Sequence, residues 1–146
     1  MPMENFKQML KQKGLKSTSQ RMSILKSIEE AVHIDIEALY KSLSVNNPSI
    51  SLNTVYLNIE QLSKEGLISK VALNSQKSVY EITKKEHIHL VCKVCGDICD
   101  EQFNDEAFKV IAEGLGGTDF EASFVALNVY GVCKKCKTKI NNKERK

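Results

Sequence analysis

Two Cys-x-x-Cys pairs, Cys92/Cys95 and Cys133/Cys136, constrain the fold of this chain more than any other feature. A Cys-x-x-Cys at a tight turn aims both sulfurs the same way, and two such pairs complete the four thiolates that tetrahedral zinc prefers. The stretch between them is longer than in a small zinc ribbon, so the metal would tie together the two ends of a domain. A closed four-sulfur shell leaves no open coordination position, which makes the expected Zn(II) structural rather than catalytic. Two redox-active pairs, or a disulfide, are the alternatives. The N-terminus lacks the apolar core and cleavage site of a signal peptide, and no apolar run approaches the roughly 20 residues that span a bilayer. A cytoplasmic protein with no membrane partner is expected, and in a reducing cytosol five cysteines point to metal more than to disulfides. The fifth, Cys99, reads as a packed strand residue, with a redox role as the other reading.

The rest of the chain divides by its periodicity. In the first half, Phe6, Met9, Leu10 and Lys13 recur at helical spacing until Gly14. Thr18 can cap a second helix with Met22, Leu25 and Ile28 on one face. Asp35 can cap a third with Ile36, Leu39, Tyr40 and Leu43 inward, broken by Asn46-Asn47-Pro48. Ser51 can cap a fourth lined by Val55, Ile59 and Leu62 and ended by Gly66. The period then changes to two: Leu67 to Leu73 and Ser78 to Ile82 flank Asn74-Ser75-Gln76-Lys77, which reads as a hairpin. Helices followed by a two-stranded hairpin is the order of a winged helix-turn-helix domain; a generic small α+β domain is the blander reading. After the polar stretch 83–86 come strand-like HIHLVC and ICDEQF. A helix follows from Asn104 with Phe108, Ile111 and Leu115, then a long strand from Phe120 to Tyr130 and a basic tail. The expected fold is α+β: a winged-helix domain at 1–82, a hinge at 83–86, and a small α/β domain at 87–146. A domain of about 60 residues has a thin core and benefits from a staple.

His87 and His89 are two apart on a strand, so both rings face the same way, as a metal would require. Two exposed polar positions at a strand start is the other reading. Taken singly, His33 is a surface residue, and Glu81 and Asp100 are solvated charges. Together the five offer nitrogen and oxygen donors suited to Fe(II), Mn(II) or zinc. They come from the first domain, its edge and the second domain, so one metal held by all of them would lock the hinge.

At this point the chain resembles the ferric uptake regulator family of metal-dependent DNA-binding repressors. The resemblance covers nearly the whole length, through GLKSTSQRMSIL, SLNTVYLNIEQLSKEGLI, VYEI, HIHLVCKVCG with Asp100 following, and VCKKC. It implies a DNA-binding winged helix, a hinge and a dimerisation domain. Cys92, Cys95, Cys133 and Cys136 match the family's structural zinc ligands by position. His33, Glu81, His87, His89 and Asp100 match its regulatory metal ligands. There are departures. A further metal site in some members uses positions that here are Ile88 and Val125, so no third site is expected. A basic residue often follows the Tyr of the recognition helix; here it is Leu57. The last regulatory ligand is Asp100 where iron sensors usually have Glu, which resembles the peroxide-sensing branch. In that branch bound Fe(II) reacts with hydrogen peroxide and oxidises a ligand histidine. Iron, zinc, manganese or nickel sensing is the alternative.

The resemblance places the helix from Ser51 to Lys64 in the major groove, offering Ser51, Asn53, Thr54, Tyr56, Leu57 and Asn58. Asn pairs best with adenine, Thr and Leu methyls can meet the thymine methyl, and no arginine is offered for guanine. Double-stranded DNA with an A/T-rich, near-palindromic operator and a homodimer are therefore the expected partners. Lys16, Arg21 and Lys77 are candidates for phosphate contacts, or else parts of a solvated face. The net charge of +3 permits a polyanion partner without requiring one. An enzyme would need a positioned base and an open metal position; the sequence offers no spare histidine and no obvious nucleophile.

Overall fold

The computed structural model describes residues 3–73, 77–84, 87–102, 104–121 and 126–144. The chain divides into two compact units, Met1–Thr83 and Lys84–Lys146. The expected hinge at 83–86 and hairpin turn at 74–77 fall partly outside the described residues, at 85–86 and 74–76.

The first unit contains α1 (Met3–Gln12), α2 (Ser19–Ala31), α3 (Ile36–Asn46), α4 (Leu52–Lys64), β1 (Ile68–Val71) and β2 (Val79–Ile82). Three of the helices begin where a short polar side chain can accept an orphan backbone N–H. Thr18 Oγ1 accepts from Arg21 N at 3.2 Å, Asp35 Oδ1 from Ala38 N at 2.8 Å, and Ser51 Oγ from Thr54 N at 3.1 Å. Each such cap is worth about 1 kcal/mol. Gly66 follows α4 with φ 78°, a left-handed step that costs a glycine little. The apolar stripes converge on one core of Phe6, Leu10, Met22, Leu25, Ile28, Leu39, Leu43, Val55, Ile59 and Leu62. Strands β1 and β2 pair antiparallel from Ile68↔Ile82 to Val71↔Val79, completing the winged-helix order.

One pairing extends this wing. Ile34 donates its N–H to Tyr80 O (3.1 Å) and accepts from Tyr80 N (2.8 Å), an antiparallel bridge that lays the α2–α3 connection along β2. The strand is thereby paired on both edges, by β1 and by Ile34.

The second unit contains β3 (His87–Cys92), β4 (Ile98–Gln102), α5 (Asp105–Gly114), β5 (Leu127–Gly131) and α6 (Lys134–Glu144). The sheet order is β4-β3-β5, with β4 antiparallel and β5 parallel to β3. The parallel pair requires a crossover, which α5 provides. Among the described residues the buried side chains of this unit are Val91, Cys92, Cys136 and His89. Helix α5 buries none, and Leu90, Val110, Leu127 and Val129 are exposed.

Three expectations for this unit need correction. Cys99, read as a packed strand residue, is on β4 but exposed. The strand read from Phe120 begins at Leu127; Phe120 and Glu121 are irregular, and 122–125 lie outside the described residues. Among the described residues β5 pairs with β3 alone, and that ladder opens at Ile88↔Leu127. The basic tail is helix α6 from Lys134 to Glu144, whose polar composition concealed it. No helix among the described residues is long and apolar enough to cross a membrane.

Candidate metal centres and nucleic-acid face

The two Cys-x-x-Cys pairs sit on different local structures. Cys92 ends β3, and a turn closed by Gly96 N to Cys92 O (3.0 Å) carries Cys95 back beside it. Gly96 has φ 80°, which that turn requires. Cys133 directly precedes α6 and Cys136 lies in its first turn, an i, i+3 pair on one side of the helix. Strand β5 delivers this helix to the β3 turn, where Lys93 N donates to Gly131 O at 2.8 Å. All four sulfurs lie within 4.8 Å of one another, with Cys95 Sγ and Cys133 Sγ 3.8 Å apart.

Their electrostatics differ. The backbone N–H of Cys95, joined by that of Cys133, stabilises the Cys92 thiolate and brings its pKa down to about 6. Cys136 is pushed up to about 12, first by its hydrogen bond to the Cys133 sulfur and then by desolvation. A cluster that ionises one sulfur easily and another only with great difficulty is one in which a divalent cation can replace protons. Four convergent sulfurs, two of them buried, fit a tetrahedral thiophilic ion.

A second set of donors lies on the other face of the same sheet. Register His89↔Asp100 puts the acid directly across from the histidine, and His87 stands two residues away on that face. His87 Nε2 and His89 Nε2 are 3.0 Å apart, and Asp100 Oδ1 lies 3.9 Å and 3.7 Å from them. The orientation of His89 comes from β5: its Nδ1–H donates to Asn128 Oδ1 at 3.2 Å, which leaves the Nε2 lone pair for the cluster. Asp100 also binds the Lys84 ammonium, so a cation is already held at this carboxylate. Asn128 and Lys84 were invisible to sequence reading. Nothing local marks them, because their roles depend on the β3–β5 and β3–β4 registers.

In the first unit, His33 Nε2 and Glu81 Oε2 are 3.1 Å apart, both side chains nearly buried. The Ile34–Tyr80 bridge makes this pair, since the residues flanking a bridge are cross-strand neighbours. Val32, just before His33, has φ 65° and ψ −55°, and His33 N donates to Ala31 O at 2.8 Å. This is a γ-turn of the rare positive-φ kind, on a β-branched residue for which that region is an outlier.

On α4, Asn53, Tyr56 and Leu57 are exposed, the last two by 48% and 57%. Other expected contacts are engaged within the fold. Ser51 and Thr54 share a hydroxyl hydrogen bond of 2.8 Å, and Asn58 Nδ2 donates to Thr54 O at 3.0 Å. Arg21 donates to Lys16 O at 2.9 Å, which fixes the segment entering α2 and leaves the Lys16 ammonium exposed. Lys77 pairs with Glu37 at 2.5 Å, and that hydrogen bond raises its pKa. Ile88 is on β3, and Val125 lies outside the described residues.

Strain at Val32 is of the order of 1–3 kcal/mol, more than the unfolded-state entropy that a glycine would add. Val32→Gly should therefore raise the stability of the first unit by about 1 kcal/mol in chemical denaturation. A loss of stability would show that the turn carries no strain.

Comparison with known proteins gives the geometry its context. The sequence profile of the Ferric uptake regulator family matches residues 12–130. The ferric uptake regulation protein of Legionella pneumophila is 38% identical over 136 residues, covering 88% of this chain and 96% of that one. The peroxide-responsive repressor PerR of Staphylococcus aureus is 30% identical over 132 residues, covering 89% and 88%. The crystal structure of the Campylobacter jejuni peroxide stress regulator is similar with a TM-score of 0.71 and 37% identity, covering 88% of this chain and 97% of that one. The chain belongs to the ferric uptake regulator family, whose members are metal-responsive transcriptional regulators and not enzymes.

Proposed function

We propose that this chain is a cytoplasmic, homodimeric repressor that binds DNA when loaded with a regulatory metal and senses hydrogen peroxide through it. The observation that carries the reading is the donor set on β3 and β4, where two imidazoles and an aspartate converge. Structural Zn(II) belongs to Cys92, Cys95, Cys133 and Cys136. The regulatory ion, Fe(II) or Mn(II), belongs to His87, His89 and Asp100 of the second unit together with His33 and Glu81 of the first. Each half of that set is internally arranged, so an ion that takes donors from both selects one arrangement of the two units.

The chain's own groups do the rest. Asn128 holds His89 in the tautomer that presents Nε2, and the Ile34–Tyr80 bridge holds His33 beside Glu81. An Fe(II) ion held by these residues would supply reduction of hydrogen peroxide beside the His33 and His87 imidazoles, where net insertion of one peroxide oxygen into a ring C–H bond would leave the other oxygen as water. An oxidised imidazole is a poorer donor, so the selected arrangement is lost and DNA is released. The exposed Asn53, Tyr56 and Leu57 of α4 suit an A/T-rich major groove, with Ser51, Thr54 and Asn58 shaping the start of that helix. Lys16 serves as a phosphate contact, with Arg21 bracing it; Lys77 would first have to leave Glu37. The exposed apolar face of Leu90, Leu127 and Val129 supports a second copy as the dimer partner. A second reading, iron-responsive repression, draws on the 38% identity to the Legionella ferric uptake regulation protein.

Two experiments test this. After anaerobic loading with Fe(II) and a brief dose of peroxide, mass spectrometry of tryptic peptides should find one added oxygen on the peptide holding His33 or His87. A Mn(II)-loaded sample should show none. Histidines left intact, with the four cysteines still on zinc, would move the protein to reversible metal sensing. Separately, Asn128→Ala should weaken Mn(II) binding by about 10–100-fold in a calorimetric titration while bound zinc stays unchanged. Unaltered Mn(II) affinity would remove Asn128 from the site.

A further inference from the structure

Residues 6–28 contain six basic side chains and no acidic one, while the rest of the chain has 15 basic against 18 acidic. The molecule is thus a basic segment on a mildly acidic body, a charge asymmetry that marks a surface for polyanions. Part of that charge is gathered in one place. A groove of about 530 Å³ between α1 and the segment entering α2 is lined by Lys7, Lys11, Lys16, Ser17 and Thr18, and no acidic side chain lines it.

Lys7 and Lys11 are one turn apart on α1, where like charges repel and cost helix stability. Among the described residues neither they nor Lys16 has an ion-pair partner, unlike Lys77 and Lys84. The Arg21–Lys16 hydrogen bond fixes the far wall, so the three ammonium groups are carried on a preset frame. The apolar residues Phe6 and Leu10 of α1 are committed to the core and are not available to enter a bilayer.

We propose that this groove takes the sugar-phosphate backbone of duplex DNA flanking the base-contacting site, with Lys7 and Lys11 as phosphate contacts beyond Lys16. The inference rests on the DNA-binding reading above. Such contacts extend the footprint and steepen the salt dependence without adding sequence preference.

The test uses the full-length, zinc-containing, Mn(II)-loaded protein. A binding site is selected from a random duplex pool. It is then presented trimmed, or with about ten base pairs of arbitrary sequence on each side, one helical turn of DNA. Fluorescence anisotropy is read across a salt series. Wild type should bind the flanked duplex more tightly. Lys7→Ala/Lys11→Ala should lose about 10-fold or more on the flanked duplex and little on the trimmed one. The slope of log K against log salt should become shallower by about 2 to 4 for a dimer. Lys7→Gln/Lys11→Gln repeats the test with uncharged helix-forming side chains, and Lys41→Ala/Lys109→Ala, equal in charge removed, should leave both affinities unchanged. Flanks without effect on wild type, or a groove variant that matches wild type or the Lys41/Lys109 control on flanked DNA, would overturn the inference while sparing DNA binding by α4. Failure of wild type to select any duplex would defeat the DNA-binding reading and this inference with it. Groove-dependent retention on anionic phosphatidylglycerol vesicles, with no effect of flanks on DNA binding, would assign the groove to a membrane surface instead.

Discussion

Among its described residues the second unit buries little apolar surface, so its cohesion leans on something besides hydrophobicity. Among its described residues the buried side chains are Val91, Cys92, Cys136 and His89; two are thiols of the four-sulfur cluster and a third belongs to the histidine cluster. A unit of this size needs a staple or a partner. The four convergent sulfurs suit the first need, because the two pairs lie at the ends of the β3-to-α6 stretch and a shared ion would close it into one body. The exposed apolar side chains of β3 and β5 suit the second. In the proposed reading, stability and assembly of this half draw on the same short strands that present the donors.

The donor sets themselves are products of strand register. His89 meets Asp100 because β3 and β4 pair there, and it meets Asn128 because β5 returns parallel to β3. His33 meets Glu81 because Ile34 bridges Tyr80. A slip of one residue in any of these pairings would turn the donor to the opposite face. The strained turn at Val32 belongs to the same logic: it redirects the chain out of α2 so that His33 arrives at the wing rather than continuing the helix.

Much of the first unit was legible in the sequence, because its signals are local. Thr18, Asp35 and Ser51 cap the helices they were expected to cap, and the apolar stripes of α2, α3 and α4 are the ones that face the core. The pairing of Ile34 with Tyr80 was not legible, since it joins residues far apart without a turn between them; hence Glu81, an ordinary surface acid when read alone, stands 3.1 Å from His33. The second unit was legible in its motifs more than in its elements. The spacing of the cysteines and histidines announced the donors, while the late start of β5 and the helix α6 escaped. The first is set by a non-local pairing with β3, and the other forms in a segment too polar to show an amphipathic stripe.

Regulation in this account is a shift between arrangements of two units, worth roughly 3 to 5 kcal/mol of differential metal binding. That differential exists only if the ion draws on donors from both units. The direct measurement is electron–nuclear double resonance on the Mn(II)-loaded protein with ¹⁵N-labelled histidine, counting the imidazoles bound to the ion. The account predicts three, from His33, His87 and His89, with one lost in His33→Ala. A count of two that is unchanged in His33→Ala would confine the ion to the second unit and contradict the proposed coupling.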